Sequence, residues 1–210
     1  MSKKEEYVKG FFTSPDKEEY IKNHSNLPGP RGNLELLEVI AEEGTEDQFR
    51  KWSLIEASEA PVNDPGEFLA MCGIVGLNRF LSENSDTYWE LLAEKASDIR
   101  WRVREAVAIS LQHLGDRDME LLLRRMDIWA GESLLMQRAA MAALCEPRLL
   151  KNPVHAGKVL DILDRITLSL TKETDRKQEP FRILRQALGY GWSVAIAALP
   201  EKGMPLFNEL

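Results

Sequence analysis

A helix-sized pattern recurs along this chain every 33 to 34 residues, and that spacing restricts the fold more than any other feature. In Asp98-Ile99-Arg100-Trp101-Arg102-Val103-Arg104-Glu105-Ala106-Val107-Ala108-Ile109-Ser110-Leu111, the residues Val103, Val107, Leu111 and then Leu114 fall on one helical face, with Asp98 placed as a cap. A shift of 34 residues towards the N-terminus puts Asp64-Pro65 at the cap and Leu69, Gly73 and Leu77 at the apolar positions. A shift of 33 the other way finds Met136, Ala140 and Leu144, with Gly131 in place of the aspartate. Each of these segments follows another helical one, at about 46–58, 86–97 and 118–130. One helix pair cannot bury its apolar face alone, so repetition at this period implies stacked pairs.

Start and stop signals between the pairs agree. Ser14-Pro15-Asp16 reads as cap, first-turn proline and carboxylate for a short helix to Asn23. Leu27-Pro28-Gly29-Pro30-Arg31-Gly32 cannot be helical and forms a connector, after which Asn33 caps Leu34–Glu43. Thr45 and Gln48 have capping-box spacing. Further helices are predicted at about 64–81, 100–114 and 133–146, then from Asn152-Pro153 to Lys172 and over 179–199, where Gly189 and Gly191 bend or split the last one. No segment alternates with period two long enough for a strand, and the connections are short, which makes neighbouring helices antiparallel.

The segment Asp98–Leu111 resembles the second helix of the HEAT repeat, with Asp98, Val103, Arg104, Ala106 and Leu111 matching and Ile99 replacing the usual proline. The 64–77 copy has the Asp-Pro but Ala70 for the arginine; the 131–144 copy has Gln137 there, and Leu184-Arg185-Gln186-Ala187 is a weaker fourth match. The arrangement is similar to small bacterial HEAT-repeat proteins. The resemblance implies an all-α fold, a right-handed α-α superhelix or HEAT-like solenoid of antiparallel pairs, whose second helices line a concave surface. It also implies that Arg104 joins a structural ladder with Asp98 or Asp64. The expected organisation is a single domain over 1–210: an N-terminal helical cap and Pro/Gly loop to residue 45, three pairs over 46–147, and a longer C-terminal pair with a tail over 148–210.

Charge and composition limit the functions. The net charge is -7, and residues 1–66 hold 14 acidic and 8 basic side chains, a balance that repels phosphate. The start, Met1-Ser2-Lys3-Lys4-Glu5-Glu6, is charged where a signal peptide would be apolar, and no run reaches membrane-span length, so a cytoplasmic location without membrane contact is expected. Cys72 and Cys145 lie in apolar helical patterns and read as buried free thiols.

Chemistry is sparse. His24, His113 and His155 have no ligand at metal spacing, and no nucleophile motif occurs, so no catalytic, metal or cofactor residue is assigned. The strongest candidates for partner contact are Arg100, Trp101, Arg102 and Arg104 on one helix, together with Arg138 and, in the Pro-Gly connector, Arg31. Arginines beside an indole can grip an anion and stack on a planar group. Yet residues 100–148 hold 8 basic and 7 acidic side chains, so a solvated charged face is the simpler account. The leading expectation is a non-enzymatic interaction or scaffold module for a protein or peptide. The alternative is a nucleic-acid binder, distantly similar to the DNA alkylation repeat glycosylases: Trp89, Trp101 and Trp129, with Asp98 or Asp127, could mimic their groove, but no motif match carries those roles over. Self-association through Met204-Pro205-Leu206-Phe207 is a third route.

Overall fold

The computed structural model describes residues 2–210, and among these it is all-helical, with twelve α-helices and no strand. The helices are α1 (Lys3–Thr13), α2 (Lys17–Asn23), α3 (Leu34–Glu43), α4 (Glu46–Ser53), α5 (Pro65–Gly76), α6 (Asp86–Lys95), α7 (Trp101–Arg117), α8 (Met119–Trp129), α9 (Leu134–Leu144), α10 (Pro153–Thr171), α11 (Glu179–Ala198) and α12 (Pro200–Asn208). The chain divides into two compact units, Met1–Ser110 and Leu111–Leu210, and the division falls inside α7.

The first unit is organised around α5. Every residue from Gly66 to Gly76 is buried, which marks a helix with neighbours all round it rather than an amphipathic surface helix. Those neighbours include α2, α3 and α4. The approach of α4 is close because Gly73 has no side chain: a Cβ there would stand 2.4 Å from the Ser53 amide nitrogen and 2.8 Å from the Trp52 carbonyl carbon. Phe49 of α4 fills the remaining space and is fully buried. Glu18 of α2 accepts from the Trp52 indole N–H at 2.8 Å and from Lys51 at 2.7 Å, joining α2 to α4. Arg79, just beyond α5, donates to the Glu42 and Gly44 carbonyls at 2.8 and 2.9 Å. It thereby meets the open C-terminal end of α3 with a cation.

In the second unit α11 packs against α9, α10 and α12. Gly189 and Gly191 leave α11 unbroken over its 20 residues. Gly191 faces Met141 and Cys145, where a Cβ would come within 2.6 Å of the methionine sulfur, whereas nothing lies within 4 Å of one at Gly189. The Trp192 indole donates to Thr167 at 3.0 Å. Both cysteines are buried free thiols. Burial pushes the Cys72 thiol well up and that of Cys145 to about 12, which makes them inert packing residues.

Several boundaries differ from the sequence reading. Asp16, not Ser14, caps α2, accepting from Glu19 N at 2.9 Å. The helix expected over 46–58 stops at Ser53: the Leu54 and Ile55 amides turn back onto the Lys51 and Trp52 carbonyls three residues earlier, and the Ile55 and Ala60 carbonyls beyond it accept from Arg100 at 2.8 and 3.1 Å. α7 begins at Trp101, so Asp98 forms a turn on Arg100 N rather than the helix cap. Two further helices, α1 and α12, stand where no helix was assigned.

The glycine contacts give opposite expectations. Gly73→Ala should cost about 1–3 kcal/mol in denaturant unfolding, because the atoms it meets are backbone. Gly189→Ala, in an exposed helix interior, should be neutral or stabilising by up to about 1 kcal/mol. Equal effects of the two would contradict the α4–α5 packing described.

Candidate functional site

One charged side chain interrupts the buried surface of α5. Glu67 is 0% exposed, and an ionised carboxylate in that setting requires a partner. Arg102 of α7 provides it, Nη1 to Oε2 at 3.1 Å, and is itself buried. The remaining bonds of Arg102 run to the connector ahead of α3: Nη2 donates to the Gly29 carbonyl at 2.7 Å and reaches Asn63 Oδ1 at 3.4 Å. Asn63, in the left-handed region at φ 74, accepts from Gly29 N at 2.9 Å and donates its own amide to Glu67 at 2.7 Å. The network therefore locks three segments together. Two buried atoms in it, Glu67 Oε1 and Arg102 Nε, have no hydrogen-bond partner.

Arg100 forms a second lock. Its guanidinium is fully buried, paired with Asp98 through Nε at 3.0 Å and Nη2 at 2.7 Å, and bonded to the Ile55 and Ala60 carbonyls. Burial by itself raises the Asp98 carboxyl, but the hydrogen bonds and charge of Arg100 outweigh it and hold the group below the usual carboxylate value. Arg104, half-buried, donates to the Asp98 and Ile99 carbonyls at 2.6 and 3.2 Å. At this turn Arg100 holds the Asp98 carboxylate, while Arg104 donates to the Asp98 backbone carbonyl. The solvated basic face over Arg100–Arg104 is corrected, since Arg100 and Arg102 are interior cations.

What this leaves at the surface is Trp101. Its ring lies against the Arg102 guanidinium at 4.4 Å and remains 45% exposed. Of the five tryptophans it alone is exposed; Trp52, Trp89, Trp129 and Trp192 are buried. Trp101 borders a groove of about 340 Å³ whose apolar walls come from Leu34, Met71 and Ile109, with Gly32 beside them. Leu34 is 56% exposed at the start of α3. Arg31, Arg102 and Glu105 supply the charges. The structure therefore gathers Arg31, Trp101 and Arg102 at one groove. Arg100 and Arg104 serve the turn before α7, and Arg138, half-buried on α9 of the second unit, is outside the lining set.

Sequence reasoning missed Glu67, Leu34, Met71 and Ile109. A lone carboxylate in an otherwise apolar α5 was the available signal for the first. The second unit has a cleft of its own between α8 and α10, but its charges are matched across it: Lys158 meets Glu120 at 2.8 Å and Arg165 meets Asp127 at 2.5 Å. Among the described residues, no group of three or more His, Cys, Asp or Glu is placed to hold a metal ion. No helix there is long and apolar enough to cross a membrane.

No family model, curated protein or solved structure matches this chain. The groove has to be read from its own chemistry.

Removing one partner of the Glu67–Arg102 pair should cost about 3–5 kcal/mol, since the other charge is left buried. Arg102→Met alone is expected to show that loss in denaturant unfolding, and the Arg102→Met/Glu67→Leu double variant to recover most of it. Additive losses would contradict the pairing. For Asp98, whose folded value is lowered, the charge contributes stability above its unfolded value near 3.9 and loses it as pH falls through the folded one. The stability gap between wild type and Asp98→Asn should therefore be full at pH 6 and close below about pH 4.

Proposed function

We propose that this chain is a HEAT-like α-solenoid module that binds a protein or peptide partner without turning over a substrate, and that the groove beside Trp101 is its contact site. The observation carrying the reading is the placement of the one exposed indole beside an apolar groove, on a helix whose neighbouring arginines are committed to the interior. Exposed aromatics on a rigid support are what protein interfaces use as anchors. The solenoid is supported by the repeat period and by its local echo. Asp64 and Asp98, 34 residues apart, each accept the backbone N–H two residues on, at 2.7 and 2.8 Å. The helices of the pairs α4/α5 and α8/α9 are also in contact.

The nucleic-acid reading has less behind it. Two of its three clustered arginines are buried, Asp98 is held by Arg100, and Trp89 and Trp129 are not open to a base. The acidic balance of the chain opposes phosphate as well.

Panning a phage-displayed library of linear peptides against the full chain tests the proposal. Enriched peptides are expected to lose at least about tenfold in affinity on Trp101→Ala, as an interface anchor does. Duplex DNA should show no binding even at low salt. Peptides that bind Trp101→Ala equally well, or tight salt-sensitive DNA binding, would overturn the assignment.

A further inference from the structure

The charges at the groove select among peptides. Arg31 is exposed and, among the described residues, has no hydrogen-bond or ion-pair partner. It stands in a connector held firmly from both sides. Gly29 is bonded to Asn63 and Arg102 before it, and Asn33 after it donates to the Tyr7 hydroxyl and the His24 carbonyl, both at 2.8 Å. An unpaired guanidinium on a fixed backbone loses little freedom when it meets a carboxylate, and its planar fork suits a bidentate pair. Arg102, buried in the groove wall beneath the indole, has its charge balanced by Glu67, so the cation offered to a ligand's carboxylate is Arg31.

The rest of the groove is apolar. Leu34, Met71, Ile109 and the Trp101 ring enclose a space of about 340 Å³, a volume suited to one aromatic side chain with its flanking backbone. Glu105 in the same lining opposes an anion that brings no apolar body with it. A free phosphate or an acidic run without an aromatic is therefore a poor fit. The complementary ligand carries a ring for the apolar walls and a carboxylate for Arg31.

We propose that the groove recognises a peptide segment in which an aromatic residue stands next to an acidic one, the ring stacking at Trp101 and the carboxylate pairing with Arg31. This rests on the peptide-binding reading above and adds its sequence preference.

The test is an NMR titration of the full, isotope-labelled chain with three blocked tetrapeptides: acetyl-Gly-Asp-Phe-Gly-amide, its Lys-Phe counterpart and its Asp-Ala counterpart. The Trp101 indole N–H, assigned by its loss in Trp101→Phe, is the reporter. The Asp-Phe peptide is expected to shift Trp101 and Ile109 with about two- to fivefold higher affinity than the Lys-Phe peptide, the size of one exposed charge pair. The Asp-Ala peptide should produce no shift, and Arg31→Glu should invert the preference between the first two. Equal affinity of both phenylalanine peptides at Trp101 would overturn the acidic preference while leaving the peptide-binding reading in place. Equal shifts by free phenylacetate would overturn the choice of a peptide in favour of a small aromatic acid. Absence of any shift at Trp101 would overturn the inference outright, and the phage selection then decides the broader reading independently.

Discussion

A carboxylate inside the central helix of the first unit governs what surrounds it. α5 is buried from Gly66 to Gly76, and Glu67 brings a charge into that interior. Only a cation delivered from outside the helix can balance it, and Arg102 does so while also holding the Gly29 carbonyl and approaching Asn63. Replacing such a pair with matched hydrophobic groups is often neutral or stabilising, whereas breaking it is expensive. Its consequence here is positional. The register of α7 and the path of the connector are set against the same carboxylate, and those two segments carry Trp101 and Arg31.

Three arginines at and just before the start of α7 divide the work by direction. Arg100 turns towards Asp98 and the segment after α4, Arg102 towards α5 and the connector, and Arg104 back onto the carbonyls before its own helix. Trp101, between two buried neighbours, is left facing the groove. A run that looks uniformly basic in one dimension is therefore mostly internal wiring, with a single aromatic offered outward.

Much of the architecture was legible because helix termini are local. Asn33, Asp64, Asn152 and the Thr45–Gln48 box act where their spacing places them, each accepting from a nearby backbone N–H. The same logic holds for α1, which a Ser2–Glu5 capping box opens although the segment is highly charged and weakly apolar. α12 was obscured by Pro205 within it. The site was harder to read. Periodicity places Arg100 and Arg102 on a helix, but their burial depends on Glu67 and on carbonyls 40 or more residues away in sequence, including Ala60 and Ile55. The carbonyls just beyond the early end of α4 likewise find their donor in a guanidinium distant in sequence.

The central claim concerns Arg102, and its guanidinium can be observed directly. In ¹⁵N-edited NMR of the full chain, burial against Glu67 and Gly29 should give Arg102 resolved Nη signals with slowed rotation and slow hydrogen exchange. These should be lost in Glu67→Gln while the Arg100 signals persist. Averaged, fast-exchanging Arg102 signals like those of a surface arginine would contradict the account.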